Sequence, residues 1–268
     1  MNRQPRSARR GRRDSRAARV IAAVTFAFIV LPLVGLVSQV AWGRLWHDLT
    51  ATEAIDALRL SLVCSLAAAA LACVFGVPLA WVLARVEFPG RSAVRALTLL
   101  PMVLPPVVGG VGLLYAFGRT GFIGQRLDGW FGIHLTFSTA GVIMAETFVA
   151  LPFLVITVEA ALRGLDRELE EAAATLGARR ATVLRRVTLP TVGPAIAAGV
   201  ALAWARALGE FGATITFAGN IQGRTRTVPL AVYLFLESQP EVAIALSLVL
   251  VAISVVVLTA LRGRWLIR

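Results

Sequence analysis

The sequence contains no lysine; all 27 of its basic residues are arginines. Cysteine is almost absent. Cys64 and Cys73 lie nine residues apart inside one apolar run, which excludes a disulfide framework and a thiolate metal site. Only two histidines occur, His47 and His134, both in connecting segments without His, Cys or acidic partners at ligand spacing, so no metal is expected. There is no Gly-Lys-Ser/Thr loop to cradle a nucleotide phosphate. A convergent constellation is also missing: no His–Glu zinc motif, no paired acid, no serine with a base. These absences argue against an enzyme, and against an embedded ATPase in particular. No Ser-rich or Gly-rich linker divides the chain, so one domain is expected.

What the chain has in excess is apolar length. Of 268 residues, 57% are hydrophobic and the mean hydropathy is +0.77, above the roughly 45–50% apolar usage of soluble domains. Six runs are long enough to cross a bilayer at ~1.5 Å per residue over a ~30 Å core. They lie at about 20–42, 57–83, 94–117, 137–162, 190–217 and 242–261. The first follows an Arg-rich segment, 1–18, expected to be a disordered tail, and it exceeds the ~7–15 residues of a signal-peptide apolar region. It is therefore expected to remain as a membrane helix.

The net charge of +12 would suggest nucleic acid on a soluble protein. Here most arginines fall between apolar runs, where they report orientation instead, so no nucleic-acid partner is expected. With the N-terminus inside, 20 arginines fall in inner segments. Only five, Arg44, Arg119, Arg126, Arg224 and Arg226, fall outside. Both termini, and the loop at 163–190, are then cytoplasmic.

That loop carries the most specific pattern, EAAATLGARRATVLRRVTLP from Glu171 to Pro190. Asp166 suits a helix N-cap, and Glu168, Glu170 and Glu171 suit the first turns, where the helix dipole favours negative charge. Ala172, Ala173 and Ala174 are strong helix formers. Gly177 stands where a short helix would stop and reverse. A second amphipathic segment, 178–188, places Arg179, Arg180, Arg185 and Arg186 on polar positions, and Pro190 suits the first turn of the next span. Read on its chemistry alone, this is either a surface helix without a partner or a small-residue helix that lets a partner approach closely.

The spacing resembles the docking loop of bacterial ABC importer permeases. Glu171-Ala172-Ala173 is followed by three residues, Gly177, nine residues, Val187, one residue, and Leu189-Pro190. Val187 stands where isoleucine is commoner. The resemblance implies a type I importer permease fold, all-α with six membrane helices over residues 19–268. It implies a coupling helix that docks on a separate ATPase subunit, which would hold the ATP and Mg²⁺, leaving no cofactor in this chain. It further implies a homodimer in the bacterial plasma membrane, surrounded by lipid and served by an extracytoplasmic oxyanion-binding protein. The run from Arg206 to Ile215, RALGEFGATI, the segment Thr225–Leu230, and Leu104-Pro105-Pro106-Val107-Val108-Gly109-Gly110 resemble the molybdate permease group. Tungstate and sulfate permeases share much of that signature.

Ionisable residues inside apolar spans are costly, at roughly 2.5–3.5 kcal/mol each on insertion scales. Arg206 and Glu210 lie four apart on an expected helix and would share a face, with Thr214 continuing the stripe. They line either a translocation path or gate, or form a structural ion pair. Glu146 in the fourth run is open to the same two readings. Pro105, Pro106 and Gly109 are expected to break or bend the third run, as a gate hinge or as a packing kink. A gradient-driven anion transporter would also account for the intramembrane charges, though not for the loop.

Overall fold

A computed structural model describes residues 10–265 of the protein. Among these residues every element is helical. In chain order they are α1 (Arg10–Ser38), α2 (Leu45–Thr50), α3 (Thr52–Arg85), α4 (Arg91–Val103), α5 (Pro106–Phe117), α6 (Gly124–Phe131) and α7 (Thr139–Gly164). Then come α8 (Arg167–Thr175), α9 (Arg180–Val183), a π turn (Leu184–Thr188), α10 (Leu189–Leu208), α11 (Gly212–Phe217), α12 (Val228–Ser238) and α13 (Pro240–Trp265). Five single stretches are long and apolar enough to cross a membrane, and the α4–α5 pair makes a sixth if counted as one span.

The centre of the bundle is α3, α7 and α10, packed on one another. Apolar lipid gives helices no hydrophobic reason to associate, so close van der Waals contact must do it. The interface is accordingly rich in small residues: Ala68, Ala72, Ala80, Ala150, Ala203 and Ala207 are all buried, beside Leu83, Leu154, Val155, Val158, Leu162 and Val192. Leu154 of α7 is wedged between two glycines. A Cβ on Gly76 of α3 would lie 2.7 Å from its Cδ2, and one on Gly199 of α10 would lie 3.4 Å from its Cα. A second core joins α3 to α12 and α13 through Ala54, Ala57, Val228, Ala231 and Leu246.

Several expectations are revised. The third run breaks as expected, but into two helices bent by as much as 118°, because Pro105 and Pro106 supply no N–H to continue α4. Pro106 instead opens α5 at a position where that N–H is not needed. The fifth run also breaks, α10 stopping at Leu208 and α11 resuming at Gly212. The segment before the last run contains α12, whose N-terminal Val228 N–H donates to Ser61 Oγ of α3 at 2.6 Å. The helix α1 reaches back to Arg10, into the Arg-rich segment; residues 1–9 of that tail lie outside the described residues. From Ala17 to Ser38 its most apolar stretch buries nothing in the monomer, and its main neighbour is α13.

Backbone contact between α5 and α11 tests this packing. A Cβ on Gly110 would lie 2.8 Å from Ala213 O and 3.0 Å from Ala213 Cα, whereas Gly112, two residues on, meets nothing within 4 Å. Gly110→Ala is expected to cost about 1–3 kcal/mol by overpacking. Gly112→Ala should be neutral or gain up to ~1 kcal/mol of helix propensity. Thermal unfolding of the two full-length variants in detergent checks this, and equal melting temperatures would contradict the close approach.

Candidate functional site

Two regions gather the residues singled out in the sequence, one at each end of α10. At the first, Asp166 caps α8 as expected, its side chain accepting from Glu168 N–H at 3.0 Å. The helix stops at Leu176, and Gly177 adopts φ +83°, the left-handed region that glycine enters without penalty. Ala178 N–H then bonds Ala173 O at 3.1 Å and Gly177 N–H bonds Ala174 O at 2.9 Å. This crossed pair is the Schellman arrangement, which satisfies the last carbonyls and reverses the chain. Four residues of α9 follow, with all four loop arginines exposed.

The π turn that joins α9 to α10 has a local cause. Pro190 cannot donate to Arg186 O as an α-helix would require, so the turn widens and Leu189 N–H bonds Leu184 O instead. Pro190 sits in the first turn of α10, with Val187 half-buried and Leu189 exposed just before it.

The face that α8 shows to solvent is apolar. Leu176 is 88% exposed and Leu169 is 52% exposed, with Ala172 between them in an i, i+3, i+7 ridge, and Glu171 and Ala174 exposed alongside. Leu169 and Leu176 were not among the residues picked from sequence. Their signal was present: two leucines at helical spacing on a helix otherwise made of acids and alanines. Glu170 points the other way. Its Oε1 accepts from Thr188 Oγ1 at 2.6 Å, and its Oε2 lies 3.3 Å from Arg85 Nη2.

Nearby, the end of α3 is held by arginines. Leu83 O accepts from Arg91 Nε at 2.8 Å and from Arg95 Nη2 at 3.2 Å, while Glu159 of α7 pairs with Arg95 at 2.6 Å and Arg163 at 2.9 Å. Cationic donors at a helix C-terminus satisfy its free carbonyls and oppose its dipole.

At the other end of α10, two helix breaks meet. A Cβ on Gly212 would lie 3.0 Å from Pro106 Cβ and 3.1 Å from Val107 N, so the start of α11 lies directly against the start of α5. Irregular backbone at membrane depth survives only where protein shields it or a cavity needs it. Gly109 does not take part; it faces Phe148 of α7, and Gly110 and Gly212 make the contact instead. Pro105 and Pro106 are exposed.

Arg206 and Glu210 are paired, Nη1 to Oε2 at 2.6 Å, but not on one helix as expected. Glu210 lies past the last residue of α10, buried, and its Oε1 accepts from Ala213 N–H at 2.7 Å. It neutralises an arginine and satisfies an orphan N–H of α11 at once. Thr214 does not extend an Arg206–Glu210 stripe either: it is fully buried in α11 and its hydroxyl has no partner. Glu146 is also buried, with Oε2 unpartnered. His47 and His134 each lie beside one aspartate, Asp48 at 3.5 Å and Asp128 at 3.2 Å, and no cluster of metal-ligating residues occurs among the described residues.

Residues 76–267 match the family described as binding-protein-dependent transport system inner membrane component. The chain is similar to the molybdenum transport system permease protein ModB of Mycobacterium tuberculosis, 50% identical over 216 residues and 81% of each chain. It is 44% identical to the ModB of Escherichia coli K12 over 213 residues, 80% of this chain and 93% of that one. A sulfate transport system permease protein, CysT of Salmonella typhimurium, is 42% identical over 212 residues, 78% of this chain and 76% of that one. Among solved structures, a bacterial ABC transporter involved in import of the acidic polysaccharide alginate shares the fold, with TM-score 0.73 at 21% identity over 96% of this chain and 97% of that one. With its spans, its paired helix breaks and its Schellman-capped loop helix, this chain belongs to the family of binding-protein-dependent transport system inner membrane components.

Proposed function

We propose that this permease subunit carries molybdate inward across the bacterial plasma membrane as a homodimer driven by a separate ATPase. The observation that supports docking is the α8 face: an apolar Leu169–Ala172–Leu176 ridge stands exposed beside Glu171 on a helix whose ends are fixed by Asp166 and Gly177. An exposed apolar ridge flanked by charge is the form of a partner surface. The excess of arginine at the loop end supports a cytoplasmic α8, on the side where a separate ATPase would hold ATP and Mg²⁺. An extracytoplasmic binding protein delivers the oxyanion to the opposite face. ATP brings the two ATPase subunits together, the two α8 helices follow, and the path opens outward. The juxtaposed breaks at Pro106 and Gly212, with Arg206 beside them, are the gate region of that path.

Molybdate is the cargo favoured by the relatives at 44–50% identity. Sulfate is the second reading, because a sulfate permease lies only slightly further away at 42%; tungstate and thiosulfate belong with these two. Proteoliposomes holding this chain, its ATPase and its binding protein decide between them. ATP-dependent molybdate uptake that excess sulfate leaves unchanged is expected. Sulfate uptake in its place would move the cargo within the family, and uptake indifferent to ATP would favour a gradient-driven carrier.

Two sets of variants test the residues. Glu171→Lys and Leu176→Asp should each abolish uptake and co-purification of the ATPase while leaving insertion intact; full uptake in both would remove α8 as the docking element. At the gate, Arg206→Ala leaves a buried carboxylate unpaired, and removing one partner of such a pair costs about 3–5 kcal/mol. Glu210→Ala should cost at least as much, because it also frees Ala213 N–H. The double variant should cost clearly less than the sum of the two, read as thermal stability in a double-mutant cycle. Additive losses would show that the two side chains do not act as a unit.

A further inference from the structure

We infer that Glu170, on the inward face of α8, is the residue that fastens the docking helix to the membrane spans. Resting on the docking reading above, this makes Glu170 the positioning residue through which movement of α8 reaches α10. The partner-facing side of α8 is lined by Glu171, Leu169 and Leu176, and Glu170 takes no part in it.

The contacts of α8 are few. Glu168, Leu169, Glu171, Ala172, Ala174 and Thr175 are exposed, and only Glu170 and Ala173 are half-buried. Beside the helix lies an open cavity of about 570 Å³, bordered by Trp81, Arg85, Glu170, Glu171, Ala174 and Thr188. The helix is therefore not packed down onto the bundle as a rigid layer. Among the described residues, Glu170 makes the one side-chain hydrogen bond and ion pair from α8 to another element. A push on α8 can otherwise reach the spans through its packing on α9 and the π turn and along the chain at its two ends, one of which is the left-handed Gly177 bend.

Glu170 grips two spans together. Thr188, the last residue of the π turn and buried, leads directly into α10. Its hydroxyl donates to the carboxylate at 2.6 Å, the length of a charge-assisted bond. Arg85 is the last residue of α3, its side chain only 12% exposed. Its Nε and Nη2 have no hydrogen-bond partner, so the Glu170 carboxylate at 3.3 Å is the charge that compensates them. Removing that carboxylate leaves a poorly solvated guanidinium at the cavity edge and releases Thr188, so α8 and α10 are free to move separately.

The experiment measures oxyanion transported per ATP hydrolysed in proteoliposomes of the full complex, together with co-purification of the ATPase. Three variants are compared with wild type: Glu170→Ala, Glu170→Gln and Thr188→Val. Glu170→Ala should keep the ATPase bound and lower the transport-to-hydrolysis ratio roughly tenfold, within the ~5–150-fold span of typical couplings. Glu170→Gln retains an acceptor for Thr188 and should lose less. Thr188→Val removes the hydrogen bond from the α10 side, alters no exposed residue, and should lower the ratio in the same direction. An unchanged ratio in both Glu170→Ala and Thr188→Val would overturn the inference. Loss of ATPase binding in Glu170→Ala, with a normal ratio in Thr188→Val, would also overturn it, by making Glu170 part of the docking surface. Failure of the docking reading itself is seen separately, as Leu176→Asp that still binds the ATPase.

Discussion

A helix that stops inside a membrane must find partners for its free N–H and C=O groups, and the far half of this bundle is organised around that requirement. Two spans stop there. At the α4–α5 break two consecutive prolines remove the donors, and Pro105 O is taken up by Val108 N–H at 2.9 Å. At the α10–α11 break Glu210 supplies the missing acceptor from its side chain, bonding Ala213 N–H at 2.7 Å. A carboxylate in that position brings a charge with it, and Arg206 at 2.6 Å removes the net charge. The arginine is thus required by the glutamate and the glutamate by the break. Neither break would be tolerated facing lipid alone, and each shields the other through the Gly110 and Gly212 contacts.

The loop end solves a different problem. There the helix ends are near water, and the sequence uses side chains to fix angles. Asp166 starts α8, Gly177 ends it, and Pro190 widens the turn that feeds α10. The four exposed arginines of 179–186 keep this segment at the polar surface. The outcome is a short helix whose position is set by its caps and by one half-buried carboxylate, while its apolar ridge is left uncovered.

Much of this was legible in the sequence. The long apolar runs marked the spans because membrane helices must be continuous and apolar. The caps at Asp166 and Gly177 were legible because each residue type has a specific local cause. The Pro105-Pro106 bend was foreseen in kind, though not at 118°. What stayed hidden depended on tertiary partners. The local signal for a stop at Leu208 is slight, Gly209 as the cap in a run, ALGEFGATI, that continues without proline; the glycine at 212 matters because Pro106 lies against it. Glu170 and Glu171 are adjacent and chemically alike, and only the packing of α8 over Arg85 and Thr188 separates their roles. Pattern matching favoured Glu171, and geometry gives Glu170 the contacts. Gly109 and Gly110 were likewise indistinguishable until α11 was in place.

These two ends belong to one element. The helix α10 has 20 residues, about 30 Å at ~1.5 Å per residue. It begins one residue after Thr188, held by Glu170, and ends two residues before Glu210, held by Arg206 and Ala213. Between them it is packed along α7 and α3 through alanines and Gly199, with Leu83, Leu154, Val155, Val158, Leu162 and Val192 filling the space beside them. Close packing of this kind holds α10 against its neighbours along its length. The π turn below Thr188, the glycine at 177 and Pro194 in the second turn of α10 place the compliant points at the loop end of this rod. One helix thus spans the distance between the α8 loop and the paired helix breaks, and one carboxylate ties its loop end to α8.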